Sequence, residues 1–311
     1  MFEKFLIIGA SGFVGKNVIN YLENLDLESN QIHTIDGKDD IDLTDYSSLN
    51  NRIKEIEPTK VINCASFVGG IAYGYKFPAK ILHLNSLIVL NLYKSCLENN
   101  VSMLVNPISN CAYPGDLNYY EEELFWEGKP HESVFDYALT RRLMVALGIS
   151  YYKEHGFNSA NIVLSNMYGP RDHFDEERSH ALGALINKIY NAKKSNLNSV
   201  EIWGSGKPIR EWLYVKDGAT ALVKASQLSS GNHFFNIGVN KGISVTDLAI
   251  KIANAFRWNG DFVYDLSRPD GAKEKRVDGN IGSEMLNWKP QTTLDDGLQE
   301  TIEWYLENIV K

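Results

Sequence analysis

A chain of 311 residues, 44% hydrophobic and 23% charged, has the apolar content of a folded protein built as one extended domain or two interleaved ones. Its net charge of -8 argues against a nucleic-acid footprint, so an anionic ligand must be met by a few placed cations. Cys64, Cys96 and Cys111 are odd in number without metal-ligand spacing, no apolar run reaches membrane-spanning length, and glycines follow MFEKFLII too early for a signal-peptide core. These features predict a cytoplasmic enzyme or binding protein that holds no metal and docks on no membrane.

The first element is KFLIIG, residues 4–9, an apolar run with the length of a buried parallel strand. GASGFVGKNVINYLENL follows as a turn and an amphipathic helix, with Gly9, Gly12 and Gly15 spaced G-x-x-G-x-x-G. Such glycines permit a tight turn, close approach of a pyrophosphate and packing of helix on strand, while the helix start offers free N–H groups to the phosphates. A dinucleotide site is the expectation, with a chance glycine-rich turn as the alternative.

QIHTID is read as a second strand, YSSLNNRIKEIEP as a helix, KVINCAS as a third strand, PAKILHLNSLIVLNLYKSCLENN as a long helix and SMLVNPIS as a fourth strand. This alternation predicts an α/β fold, a Rossmann-type doubly wound parallel sheet with its crevice at the carboxyl ends of the strands. Asp36 ends the second strand, where a carboxylate meets an adenine ribose. A 2'-phosphate about 5 Å away is repelled by about 2 kcal/mol in a water-like dielectric, which favours NAD(H) over NADP(H) roughly tenfold or more. Against this, Asp36 is also readable as a solvated loop residue beside Asp39, Asp40 and Asp42, and Lys38 lies close enough to assist a phosphate.

The fourth strand runs into SNCAYPG, where Ser109 and Cys111, two apart in an extended segment, are expected to face the same side. A helix carrying Tyr137 and Arg141 follows, and positions four apart share a helix face. Beyond it, SVTDLAIKIANAF and TTLDDGLQETIEWYLEN read as amphipathic helices with Ser/Thr starts, flanking short strands such as HFFNIG and DFVYD. No Pro/Gly/Ser-rich linker separates them from the rest. The predicted division is a dinucleotide-binding domain over 1–166, rejoined by a segment near 207–240, and a smaller interleaved C-terminal substrate domain over 167–206 and 241–311.

The glycine turn, a Ser at the end of the fourth strand and Tyr-x-x-x-basic, in that order, resemble the extended short-chain dehydrogenase/reductases of the NAD-dependent epimerase/dehydratase type. More narrowly, the chain is similar to the GDP-L-fucose synthases, which are 3,5-epimerase/4-reductases of a GDP-4-keto sugar. The resemblance rests on SFVGGI (66–71), ISNCAYP (108–114), DYALTRR (136–142), SNMYGPRDHF (165–174), SHALGALINK (179–188), WGSGKPIREWLYVKD (203–217) and RPDGAKEKRVD (268–278), in that order.

By that resemblance Ser109 and Tyr137 bond the sugar oxygen and Tyr137 moves its proton, while Arg141 stands at the cofactor-holding basic position. Cys111 and His180 fall on the acid/base pair for the carbons beside the ketone; without the family they read as a buried small residue and a helix-start histidine. The resemblance implies a dinucleotide held by Gly9, Ser11, Gly12, Phe13, Val14, Gly15, Asp36, Asp42, Leu43, Cys64, Ala65, Ser66 and Asn85. It adds Tyr137, Arg141, Leu164, Asn166, Met167 and His180 to that cofactor site. For the substrate it implies Val68, Gly69, Asn110, Asn166, Lys188, Trp203, Arg210 and Asp270. Arg210 is suited to fork onto a diphosphate, Lys188 to add a point charge and Trp203 to stack on a flat ring.

Three departures matter: Arg141 replaces the family's Lys, and Ser11 and Asp36 stand at or near positions where the fucose synthases carry phosphate-binding Arg. The last two again predict NAD(H). At Arg141 the charge is preserved, since a unit charge about 6 Å from a phenol, at an effective dielectric near 20, is worth about 3 kcal/mol whether Lys or Arg carries it. Geometry differs, because a guanidinium is planar and bulkier than an ammonium.

The expected activity is an NAD(H)-linked oxidoreductase at C4 of a GDP-linked sugar, a 4-keto reductase with 3,5-epimerisation, acting as a homodimer through helices at 79–99 and 135–155. The alternatives are a GDP-sugar 4-dehydrogenase or 4-epimerase with tightly bound NAD, and a non-catalytic dinucleotide sensor.

Overall fold

In the computed structural model, which describes residues 3–25, 27–68, 71–175, 179–268 and 270–310, the first apolar run is β1 (Phe5–Ile8), buried along its whole length. It lies parallel between β2 (Ile32–Ile35) and β3 (Lys60–Asn63), and β4 (Met103–Ser109) continues the sheet beyond β3. A strand covered on both faces has no polar side to show, which is why β1 reads as an unbroken apolar run. Helices make the crossings: α1 (Phe13–Glu23), the short α2 (Gly37–Asp40), α3 (Tyr46–Ile56), α4 (Ile71–Lys76) and α5 (Pro78–Glu98). Asp45 starts α3 by accepting the amides of Ser47 and Ser48 at 2.7 and 3.1 Å, and Pro78 opens α5 where its missing N–H costs nothing.

The chain then makes the two-residue β5 (Tyr119–Tyr120), α6 (Phe135–His155), β6 (Ser159–Leu164) and β7 (Asn166–Tyr168). α7 (Ala181–Lys194), β8 (Ser199–Trp203), β9 (Ile209–Tyr214), α8 (Val215–Ala225) and β10 (Asn232–Ile237) follow. The last elements are β11 (Gly242–Ser244), α9 (Val245–Phe256), β12 (Asp261–Asp265), β13 (Glu274–Val277), α10 (Asn280–Met285) and α11 (Leu294–Asn308). Side-chain oxygens of Ser244 and Thr293 cap α9 and α11, each accepting the amide of an Asp three residues on.

Among the described residues the main sheet is all parallel, ordered β10-β6-β4-β3-β1-β2. The order reverses at β1, so a crevice opens where β1 and β3 end, the position at which such sheets bind ligands. One core fills the face under α3, α5 and α6, around Leu49, Leu92, Tyr93 and Met144; another fills the face under α1 and α8, around Val18, Leu22 and Leu222. A third core, around Ile186, Trp212, Leu248 and Ile302, lies among α7, α9, α11 and β9. β11, β9, β13 and β5 pair in that order, β7 joins β9, and β8 pairs with β12.

Candidate active site

Gly9 turns the chain off β1 with φ of 78°, and a Cβ there would meet the Ala65 amide nitrogen at 2.6 Å. Only glycine accepts both the left-handed backbone and that approach. A Cβ on Gly15 would lie 2.2 Å from the Gly9 carbonyl oxygen, so this glycine lets α1 sit directly on the turn. Gly12 precedes α1 and no side chain caps the helix, which leaves the first-turn amides, at Phe13 and Val14, for an anion. Cradle and open helix start together fit a dinucleotide pyrophosphate. Asp36 follows β2, and its carboxylate accepts the Ser11 amide at 2.5 Å, tying the glycine turn to the next crossing.

Across the crevice, Tyr137 and Arg141 occupy consecutive turns of α6. The Arg141 guanidinium carbon lies 4.7 Å from the centre of the Tyr137 ring, over its face. The side chain is 3% exposed; its Nη2 stands 3.4 Å from both Ser66 Oγ and Asn85 Oδ1, and its buried Nε has no protein partner. A buried cation with an orphaned donor fits a ligand oxygen. Asn85 on α5 organises this wall, donating to the carbonyls of Phe67 and Ile81 at 2.8 and 2.9 Å and accepting the Phe67 amide at 2.9 Å.

Ser109 ends β4, in register with Leu164 of β6. The expectation of an extended segment through Cys111 is corrected here: residues 110–112 form a single 3-10 turn, and Ser109 Oγ accepts the Cys111 amide at 3.4 Å. A turn, instead of strand alternation, brings the two side chains together. Asn110 Nδ2 lies 3.4 Å from Asn166 Oδ1, and Asn166 in turn donates to the Glu211 carbonyl at 3.0 Å, joining β4, β7 and β9. Burial raises the Cys111 thiol, opposed by its hydrogen bond to Ser109 and by the charges of Lys275 and Arg141. His180 stands uncapped and solvent-accessible at the start of α7, yet protein crowding on its other sides lowers its imidazole, and His173 adds to this.

The substrate candidates lie on the second lobe. Lys188 Nζ and Arg268 Cζ each lie 4.9 Å from the Trp203 ring centre, and Trp203 is 59% exposed. Arg210 is half-buried and donates to the Ile209 carbonyl at 2.8 Å. Asp270 accepts the amide and hydroxyl of Ser205 at 2.6 and 2.7 Å, so its carboxylate holds the WGSG turn. Sequence reasoning missed Arg268 and Lys275, although both stand in the RPDGAKEKRVD stretch.

The remaining candidates are more dispersed. Leu43 and Leu164 are buried in the cores of the main sheet, and Met167 packs there half-buried. Cys64 follows β3, its thiol pushed up to about 12 by burial. Asp42 accepts the amide and hydroxyl of Thr44. Val68 is exposed, and Gly69 lies outside the described residues.

Residues 5–238 match the family model described as NAD dependent epimerase/dehydratase family. The chain belongs to the NAD dependent epimerase/dehydratase family. Among family members it is 32% identical to a probable GDP-L-fucose synthase 1 of Oryza sativa subsp. japonica, over 99% of this chain and 93% of that one. The crystal structure of a GDP-L-fucose synthetase from Naegleria fowleri bound to NADP superposes with a TM-score of 0.88, at 26% identity over 99% and 95% of the two chains. A GDP-mannoheptose C4 reductase from Campylobacter jejuni with NADP bound gives 0.86, at 26% identity over 97% and 98%.

These epimerase/dehydratase relatives overturn the expected preference for NAD(H), since both solved ones hold NADP. The expectation treated Asp36 as a free carboxylate facing the ribose. In the structure one oxygen of that carboxylate accepts the Ser11 amide, which ties Asp36 to the glycine turn.

Proposed function

We propose that this protein is an NADP(H)-linked oxidoreductase acting at C4 of a GDP-linked sugar, reducing a 4-keto group with epimerisation at the carbons beside it. The observation that carries this reading is the convergence of Ser109, Cys111, Tyr137 and Arg141 on one crevice beside the glycine turn. The bound nicotinamide supplies the hydride for the ketone carbon.

The chain's own residues supply the rest. The hydroxyls of Ser109 and Tyr137 hold the ketone oxygen, and Tyr137 delivers a proton to it as the alkoxide forms. Before reduction, the Cys111 sulfur takes a proton from the carbon next to the ketone; that C–H pair moves into an enolate whose oxygen rests on the same two hydroxyls. His180 returns a proton to the opposite face. Arg141 orients the cofactor ribose, and Arg210, Lys188 and Trp203 hold the nucleoside diphosphate.

This assigns residues 1–166 and the returning segment near 207–240 to the dinucleotide, and 167–206 with 241–311 to the sugar nucleotide. We further propose a cytoplasmic enzyme that pairs as a homodimer through α5 and α6, a reading supported by the exposed Leu90, Ile149 and Tyr152 on those helices. Incubation with GDP-4-keto-6-deoxymannose and NADPH in heavy water tests the chemistry. Cys111→Ala is expected to reduce the ketone without deuterium entering the adjacent carbons; incorporation at the normal rate contradicts the assignment.

A further inference from the structure

Arg142 follows Arg141 on α6, about 100° further round the helix, and its contacts are different. Its Nε donates to the Ala112 carbonyl at 2.7 Å and its Nη1 to the Gly128 carbonyl at 2.7 Å. Ala112 ends the 3-10 turn that carries Cys111, so the helix bearing Tyr137 holds that turn directly. Hydrogen bonds from a charged donor are shorter and stronger than neutral ones. Bonds elsewhere on the turn are longer: the Cys111 amide reaches Ser109 Oγ at 3.4 Å, Asn110 reaches Asn166 at 3.4 Å, and the Tyr113 amide closes on the Asn110 carbonyl at 3.2 Å. The next short anchor, from the Tyr113 phenol to Asn236 at 2.8 Å, lies beyond the turn.

Gly128 belongs to the far arm of the loop that leaves the turn. The Gly115 amide donates to the Lys129 carbonyl at 2.9 Å, and a Cβ on Gly115 would stand 2.6 Å from the His131 Cα, so the two arms run side by side. Arg142 therefore bridges both arms at the base of the loop, its guanidinium carbon 5.5 Å from the centre of the Phe125 ring and 5.7 Å from that of Trp126. Its buried Nη2 has no protein partner among the described residues, so Nε and Nη1 carry the hold.

We propose that Arg142 is a positioning residue that sets where the Cys111 sulfur stands relative to the Tyr137 phenol, and so governs proton exchange beside the ketone while leaving reduction largely intact. The proposal rests on the reading of Cys111 as the proton acceptor. Tyr137 stands on the helix itself and needs no clamp; Cys111 stands on the clamped turn. Arg142 touches neither ketone nor cofactor and moves no proton.

The test is turnover of GDP-4-keto-6-deoxymannose with NADPH in heavy water by the full-length protein, reading NADPH loss by absorbance and deuterium in the reduced product by NMR. The fraction of reduced product that carries deuterium does not depend on how much of a variant is folded. Arg142→Met, which keeps the length and removes the donors, is expected to lower exchange about 10- to 100-fold with NADPH turnover within about threefold of wild type. Arg142→Lys returns one charged donor, and should recover exchange at least about threefold over Arg142→Met. Equal loss of exchange and reduction overturns the proposal, as do two unchanged activities or the absence of recovery in Arg142→Lys. A raised KM for the GDP-sugar with the deuterated fraction unchanged overturns it too, making Arg142 a binding group. Normal deuterium incorporation in Cys111→Ala, run alongside, instead removes the base assignment on which the proposal rests.

Discussion

At the scale of single residues, the proposal gives the reduction to the pair at 137 and 141. Tyr137→Phe keeps the ring that lies under the Arg141 guanidinium and removes only the hydroxyl. Turnover measured by loss of reduced nicotinamide absorbance should fall roughly 100- to 10,000-fold, with NADPH affinity nearly unchanged. Arg141→Lys should retain most activity because the cation remains, whereas Arg141→Met should weaken NADPH binding and cut turnover together. The proposed base Cys111 and acid His180 imply a pH signature. Exchange at the sugar carbons needs Cys111 ionised and His180 protonated, while burial pushes the thiol up and the imidazole down. With the values in that order, the competent fraction is small but constant between them. It falls below the His180 value because thiolate is lost, and above the Cys111 value because the imidazolium is lost. The pH profile of deuterium incorporation should therefore be a broad plateau, and a narrow bell contradicts the assignment. Ser109, Tyr137 and the glycines were legible in the sequence because each sits in a short local pattern. Lys275 was not, because its neighbour Arg210 comes from a distant part of the chain and meets it only through the pairing of β9 with β13.

At the scale of elements, the glycine turn and the β9 to β13 ladder position the site. Gly15→Ala forces a methyl to 2.2 Å from the Gly9 carbonyl oxygen and 2.9 Å from the Ala10 Cα, so α1 must lift from the turn. A loss of about 1–3 kcal/mol in denaturant unfolding is expected, together with loss of NADPH binding by fluorescence titration. Glu211 is fully buried on β9; one carboxylate oxygen accepts the amides of Val239 and Asn240, and the other accepts that of Val277. Burial pushes the group up to about 7, against these three donors. Glu211→Gln turns one acceptor into a donor facing a backbone N–H, and should cost about 2 kcal/mol of stability in the same unfolding measurement. Wild-type stability in that variant contradicts a structural role for these three bonds. Glycine spacing made the glycine turn visible in advance, whereas β9 and β13 were not among the strands read from the sequence. The 3-10 turn at Cys111 was not visible either, because Ser-Asn-Cys is compatible with either strand or turn. The chain Asn63, Asn106, Asn161 and Tyr93, linked by bonds of 3.1 and 3.2 Å inside the sheet, was equally hidden among residues usually found on surfaces.

At the scale of the whole molecule, a parallel sheet that reverses its order at β1 sets the cofactor crevice, and a separate core joins α7, α9 and α11, with Lys188 and Arg268 gathered on Trp203. Alternating strand and helix signals were enough for β1 to β4 of that sheet, while β6 was not read as a strand. Cofactor preference did not follow from them: Asp36 pointed to NAD(H), whereas the two solved relatives hold NADP. The central claim is reduction of a GDP-linked 4-keto sugar, and the most direct measurement is turnover of a panel of GDP-, UDP- and dTDP-linked 4-keto sugars with NADPH, read by absorbance and product NMR. The account predicts turnover of a GDP-linked member to a product with hydrogen delivered at C4. Turnover of the UDP- or dTDP-linked sugars with none of the GDP-linked ones would contradict it.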